Sequence, residues 1–266
     1  MLSNFHTHTV FCDGIDTPEE MAEAALFQGF DALGFSSHGY TEFDLRYCMK
    51  DETGYIKRVN ALKDVYKGRL EIYLGVEEDA FDHVAREKYD YIIGSSHYLL
   101  TNKGILPIDS SAEHFAACLE AFHGNTLALA ESYYSAFCSY IRSRRPDVVG
   151  HFDLITKYDE LAASRFLADP AYNAIAERYA AYAAESGCVF EVNTGAVARS
   201  LRTSPYPAAN LISVLKKGGA RFILSSDCHD KTKLAFAFDE AKAFLREAGV
   251  REAVTLSGGE FVSYSI

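Results

Sequence analysis

Two histidines two residues apart, His6 and His8 in Asn4-Phe5-His6-Thr7-His8, are the first chemistry-bearing pair in the chain. On an extended strand, side chains at i and i+2 project to the same side about 6.6 Å apart, and two imidazoles so placed can grip one metal ion. A pair alone fits equally well a half-buried strand whose histidines make ordinary hydrogen bonds. Recurrence separates the two readings. Apolar runs that read as strands exit at His38, Glu77, His97 and His151, and the last exits at Ser226-Asp227-Cys228-His229 with the same i, i+2 pairing; Asp13 lies just behind the first. Six of the nine histidines thus sit at strand ends, which packing does not explain, while His83, His114 and His123 fall in helices or loops as surface or core residues. The pattern implies one metal site built from many strand ends.

The elements that must position these residues alternate along the chain. Thr17-Pro18-Glu19-Glu20 is a helix start, with Thr as N-cap, Pro at the first helical position and Glu at the third for a capping box; Gly29 stops that helix. Strands are expected at residues 4–8, 30–37, 70–76, 91–97, 148–151, 188–193 and 221–227. A polar, aromatic loop over 40–51 follows the second, and a loop containing Pro107 and Asp109, then two helices, fill the long gap from Leu99 to Pro146. Residues 254–266 read as either an extra edge strand or a tail. Strands alternating with helices and no Pro-, Gly- or Ser-rich linker indicate one domain over residues 1–266 with a parallel sheet. A closed (β/α) barrel is expected, because closure sets the first and last strands side by side and gathers functional residues at the C-terminal strand ends.

Composition narrows the function. With 266 residues, 48% hydrophobic and 24% charged, the chain can bury a sizeable core. It has no apolar run long enough to span a bilayer and begins without a basic, apolar leader, so a soluble cytoplasmic protein is expected, without a membrane partner. Six scattered cysteines with no CxxC argue against a disulfide framework and a structural cysteine zinc site. The net charge of −11 disfavours nucleic acid, whose binding rests on clustered Lys and Arg, yet leaves room for a small phosphate held by metal ions.

Taken together, Phe5-His6-Thr7-His8-Thr9, Ser37-His38, Gly75-Val76-Glu77, Gly94-Ser95-Ser96-His97, Gly150-His151-Phe152-Asp153, Glu191-Val192-Asn193-Thr194 and Ser225-Ser226-Asp227-Cys228-His229 resemble the PHP (polymerase and histidinol phosphatase) family, and within it the monofunctional histidinol-phosphatases. The resemblance implies a distorted (β/α)7 barrel holding two or three divalent metal ions. It places His6, His8, Glu77 and Asp227 on the first ion, Glu77 as a bridge with His97 and His151 on the second, and Asp13, His38 and His229 on the third; where some members carry histidine, this chain has Asp13. Asp227 is expected to be catalytic as well as a ligand. Glu77 is preferred over its neighbours Glu78 and Asp79 because it follows Gly75-Val76 as the family ligand does.

The implied substrate is a small phosphomonoester, L-histidinol phosphate, attacked by water acidified between two dications. Arg199 and Lys157 match positions where histidinol-phosphatase relatives hold phosphate, a surface role for Arg202 is as fitting as a role in the site, and Ser204-Pro205-Tyr206-Pro207 resembles the family's Tyr-Pro element. Asp44, Tyr47 and Asp109 are loop candidates for the substrate's ammonium and imidazole. Another PHP enzyme, acting on a different phosphomonoester or a nucleotide end, and a non-catalytic PHP scaffold are the alternatives; the full ligand set argues against the scaffold. Mixed nitrogen and oxygen ligands suit zinc, iron and manganese alike, and the sequence leaves oligomeric state open.

Overall fold

Buried on both faces, parallel strands read as nearly continuous apolar runs, and seven such runs form the centre of the molecule. The structure is a computed structural model describing residues 1–161 and 166–266. In chain order the parallel strands are β1 (Ser3–Asn4), β2 (Ala32–Phe35), β3 (Glu71–Asp79), β4 (Tyr91–Ser95), then, after a small hairpin of β5 (Tyr98–Thr101) and β6 (Gly104–Pro107), β7 (Val148–Val149), β8 (Val189–Asn193) and β9 (Arg221–Ser225). They pair in the order β1-β2-β3-β4-β7-β8-β9. Helices α1 (Pro18–Phe27), α2 (Glu52–Tyr66), α3 (Ala112–Ala121), α4 (Thr126–Arg144), α5 (Pro170–Ala184), the single turn α6 (Gly195–Ala198), α7 (Ala209–Lys217) and α8 (Phe238–Glu247) connect them. Among the described residues, no helix is long and apolar enough to cross a membrane.

The sheet curls until its ends meet. Thr7 and Cys228 form a parallel bridge, with the His8 N–H donating to the Cys228 carbonyl at 2.9 Å and the Cys228 N–H to the His6 carbonyl at 3.3 Å. Asn4, fully buried, fastens the same seam: its amide donates to Ser226 Oγ at 2.7 Å and the Leu234 carbonyl at 2.9 Å, and its Oδ1 accepts the His6 N–H at 3.0 Å. Away from this end the seam is occupied by β10 (Glu252–Ser257), which pairs with β9 at Val254↔Ile223 and turns through Gly258-Gly259 into antiparallel β11 (Glu260–Ser265). Both glycines have positive φ, 59° and 85°, which the tight hairpin turn requires and glycine supplies without strain. Residues 254–266, read from sequence as an edge strand or a tail, are therefore most of a hairpin.

Aromatic side chains fill the barrel beneath the strand exits. Phe5 meets Tyr73 and Tyr91 edge-on at centroid distances of 5.6 and 5.7 Å, and the Tyr91 hydroxyl donates to the Phe5 carbonyl at 2.5 Å. A Cβ at Gly34 or Gly75 would overlap the Tyr91 ring, so the glycine of Gly75-Val76-Glu77 makes room for this layer. Outside the sheet, α1 begins at the Thr17 capping box with Pro18 in its first turn. The stretch from Leu99 to Pro107, expected to be an open loop, is mostly the β5–β6 hairpin, closed across Asn102-Lys103.

Asn4→Ala should lower unfolding stability by at least about 2 kcal/mol, because it leaves several buried partners unpaired. Equilibrium urea denaturation measures this, and a loss below about 0.5 kcal/mol would mean that the seam is held by other contacts.

Candidate metal centre

A carboxylate buried without compensation costs several kcal/mol, so the surroundings of Glu77, 2% exposed at the exit of β3, show what the site is built to hold. Its two oxygens face different partners. Oε2 stands 3.2 Å from His6 Nε2, 3.5 Å from His8 Nε2 and 2.9 Å from His38 Nδ1. Oε1 stands 3.3 Å from His97 Nε2 and 3.1 Å from His151 Nε2, and accepts a hydrogen bond from Ser95 Oγ at 2.6 Å. One carboxylate thus spans two groups of imidazoles.

The remaining residues surround this pair of groups. Asp227 Oδ1 lies 3.2 Å from His8 Nε2 and 3.6 Å from His6 Nε2, while Asp13 approaches His229 Nε2 at 3.2 Å and His38 Nε2 at 3.6 Å. Donor atoms converge within ion-sized spaces in four overlapping sets: His8, Asp13, His38 and His229; His6, Glu77 and His151; His6, His8 and Asp227; His38, Glu77 and His97. All nine sequence-derived ligand candidates are in these sets. Their partition differs from the one the resemblance implied, since His8 also joins the Asp13 set and His6 also joins Glu77 and His151.

These atoms suit a cation better than they suit one another. His6 Nε2, His8 Nε2, His151 Nδ1, Asp13 Oδ1 and Glu77 Oε2 are buried with no hydrogen-bond partner, the short approaches among them lacking hydrogen-bond geometry. Such groups are normally satisfied, and neutral imidazole with carboxylate is a donor set for zinc and other divalent transition metals. Electrostatics agree. Burial opposes charge on Glu77, yet His6, His97 and His38 hold its pKa well below the usual carboxylate range. Burial likewise opposes ionisation of Asp227, but Arg199 and then His6 hold it well below its ordinary value. Burial, with His229 and His38 nearby, pushes the His8 imidazole down to about 3, so it stays neutral and able to coordinate.

Outer partners fix the rings. Glu191, buried on β8, accepts from His6 Nδ1 at 2.6 Å, and accepts the His151 N–H at 2.8 Å, Asn193 Nδ2 at 3.0 Å and the Ser225 hydroxyl. Burial disfavours a charged His6, yet Glu191, Glu77 and Asp227 hold its pKa well above the ordinary value; the same field favours a dication. A carboxylate behind a metal-binding histidine sets the ring's tautomer and orientation. Asp79 does this for His97, accepting its backbone N–H at 2.9 Å and approaching Nδ1 at 3.3 Å. Neither Glu191 nor Asp79 was singled out from sequence for this duty; for Glu191 the available signal was a carboxylate inside an otherwise apolar strand, while Asp79 ends an acidic triplet that carries no such mark. Glu78, in contrast, turns away to accept from Arg144 Nε at 2.8 Å and Nη2 at 2.7 Å and from Tyr140 at 2.8 Å.

Above the cluster a cavity of about 350 Å³ is lined by Tyr47, Tyr98, Asp109, Leu154, Lys157 and Arg199, among others. Arg199 donates through Nη2 to Asp227 Oδ2 at 2.9 Å and through Nη1 to the Asp227 carbonyl at 3.2 Å. Lys157 Nζ donates to Asp109 Oδ2 at 2.9 Å. Two sequence readings are corrected. Arg202 is no surface residue, being 3% exposed and held between the segments that follow β7 and β8. Asp44 is buried outside the cavity lining, its carboxylate occupied by Arg46 Nε and Nη2 at 2.9 and 2.7 Å and by the Tyr98 hydroxyl at 3.1 Å. His83 and His123 are exposed, and His114 bonds through Nδ1 to the hydroxyls of Ser110 and of Ser111, the N-cap of its helix.

Comparison with known proteins now places the chain. The model of the PHP domain matches residues 4–195, and the chain belongs to that family. A protein of Deinococcus radiodurans named "Probable histidinol-phosphatase" is 31% identical over 265 residues, covering 94% of this chain and 95% of its own. The histidinol-phosphatase of Bacillus subtilis is 26% identical, covering 88% and 96%. Among solved structures, histidinol phosphate phosphatase from Lactococcus lactis, complexed with zinc, L-histidinol and phosphate, superposes with a TM-score of 0.75 at 18% identity over 98% of both chains; at that identity the likeness shows the fold, a curled parallel sheet wrapped by helices.

Glu77→Gln should reduce bound metal by at least one equivalent per chain, since it weakens a carboxylate facing both imidazole groups, whereas Glu78→Gln should leave metal content unchanged. Elemental analysis of gently purified proteins decides, and equal metal content in the two variants would remove Glu77 from its bridging place.

Proposed function

We propose that this chain is a metal-dependent phosphomonoesterase that hydrolyses L-histidinol phosphate to L-histidinol and phosphate, acting as one cytoplasmic domain over residues 1–266. The observation that carries the chemistry is Glu77, whose two oxygens face separate imidazole groups at the floor of a cavity that also holds Arg199 and Lys157. The substrate follows from the family and from relatives named histidinol-phosphatase across nearly the whole chain.

The nine residues His6, His8, Asp13, His38, Glu77, His97, His151, Asp227 and His229 would hold two or three divalent ions, with zinc, present in the Lactococcus lactis relative, fitting the nitrogen and oxygen donors as iron and manganese also do. When bound, such ions supply charge for phosphate oxygens and acidify water. The protein's own groups do the rest. Asp227, held ionised, presents Oδ1 toward the histidines, where its part in catalysis would be to help hold an ion. Its Oδ2 anchors Arg199 at the cavity edge, and the guanidinium's remaining N–H groups can take phosphate oxygens in the fork geometry that suits them. Asp109 and Tyr47 line the same cavity; the substrate's ammonium can replace Lys157 on Asp109, releasing Lys157 to the phosphate, while Tyr47 offers a face to the imidazole.

On metal-replete protein, kcat/KM for L-histidinol phosphate should exceed that for glycerol phosphate and p-nitrophenyl phosphate by at least about tenfold, or about 1.4 kcal/mol in the transition state. Failure to reach that ratio would leave a general PHP phosphoesterase. Asp109→Asn should cut the ratio itself by at least about tenfold, and an unchanged ratio would take Asp109 out of ammonium recognition.

A further inference from the structure

We infer that Arg202 is a positioning residue for phosphate recognition, a buried strut that sets the spacing between Lys157 on the segment after β7 and Arg199 on the segment after β8. The inference rests on the phosphatase reading above. Arg202 does not line the cavity. Its Nη1 donates to Thr156 Oγ1, the residue next to Lys157, and its Nη2 to Ser204 Oγ at 3.4 Å. Thr156 Oγ1 in turn donates to the Asp153 carbonyl at 2.8 Å, closing the turn that carries Lys157. The Arg202 backbone N–H reaches the Ala196 carbonyl at 3.3 Å, inside the α6 turn that ends at Arg199. Its guanidinium carbon lies 4.4 Å over the Tyr206 ring, and Tyr206 pairs through its backbone with Asn193 at the exit of β8. Arg202 therefore joins the two segments that present basic residues to the cavity, its side chain bonding Thr156 beside Lys157 and Ser204 in its own segment, its backbone bonding the turn that leads to Arg199.

Stability does not account for this arrangement. Arg202 Nη1 stands 3.7 Å from Asp153 Oδ2 with both side chains wholly buried, and Arg202 Nε, Asp153 Oδ1 and the Tyr206 hydroxyl have no hydrogen-bond partner. A desolvated ion pair this incompletely satisfied is a poor stabiliser, and replacing both partners by neutral groups is commonly neutral or favourable. What the charged fork provides, and an apolar side chain cannot, is directional contact with Thr156 and Ser204 at once.

The test uses metal-loaded wild type, Arg202→Met, Arg202→Lys and the double variant Asp153→Asn with Arg202→Met, which removes both charges while keeping an acceptor for the Ala208 N–H, now bonded to Asp153 Oδ2 at 3.0 Å. Inorganic phosphate is titrated by calorimetry, with metal content and thermal unfolding measured alongside. Arg202→Met should bind phosphate at least about tenfold more weakly at unchanged metal content, with Arg202→Lys intermediate because it keeps charge and loses the fork. The double variant should recover most of the thermal stability lost in Arg202→Met and still bind phosphate at least about tenfold more weakly. Wild-type phosphate affinity in the double variant would overturn the inference, and that measurement stands even if Arg202→Met fails to fold. Poor wild-type selectivity for L-histidinol phosphate would instead sink the substrate assignment and leave the strut to be judged on phosphate affinity.

Discussion

The seam between the first and last parallel strands is the constraint on which the site depends. His6 and His8 come from one end of the chain, Asp227 and His229 from the other, and the paired backbones of Thr7 and Cys228, with the Ile15 N–H donating to the His229 carbonyl at 2.9 Å, set them side by side. Asn4 holds that pairing from beneath with a buried amide that donates across the seam to Ser226 and Leu234 and whose oxygen accepts the Ser226 N–H across it as well as the His6 N–H on its own side. Regular strand geometry ends at Asn4, so the histidine pair projects from an extended segment that is kept straight by its partner. Away from the site the two strands part, and β10 occupies the gap.

Given that closure, electrostatics shape the rest. Glu77, Asp227, Asp13 and Glu191 bring acidic groups into a space mostly shut off from water, where each would be costly alone. Imidazoles and Arg199 compensate them in part, and the unpartnered ring nitrogens and carboxylate oxygens mark where compensation stops. Glu191 belongs to this balance although it lies behind His6, because it orients the ring while also taking the His151 N–H. Two nominal neighbours, Glu77 and Glu78, have opposite fates since alternate strand residues face opposite sides of a sheet: one enters the barrel and the other is gripped by Arg144 and Tyr140.

Much of this was legible in the sequence because each strand exit carries its own label. Seven parallel strands, the capping box at Thr17 and eight of the nine converging donors follow from local spacing and residue type, while the choice of Glu77 over Glu78 and Asp79 rests on the family resemblance. What was missed depends on partners distant in the chain. Residues 254–266 read as an edge strand or a tail, and only the gap beside β9 gives them a place as a hairpin. Arg202 and Asp44 look alike on paper as polar loop residues, and the partners that bury them, Asp153, Thr156 and Tyr98, cannot be paired from spacing. Glu191 was seen within a motif, yet its duty required knowing that β8 sets it behind His6.

The aromatic layer of Phe5, Tyr73 and Tyr91 closes the barrel directly below the strand exits. The cavity is thus bounded on the barrel side and lined by the loops that follow the strands. For the proposed hydrolysis both products depart on that loop side, the alcohol from beside Tyr47 and Asp109 and phosphate from beside the more exposed Arg199. Free phosphate, which would share its contacts with the phosphoryl group of the substrate, then competes with each incoming substrate.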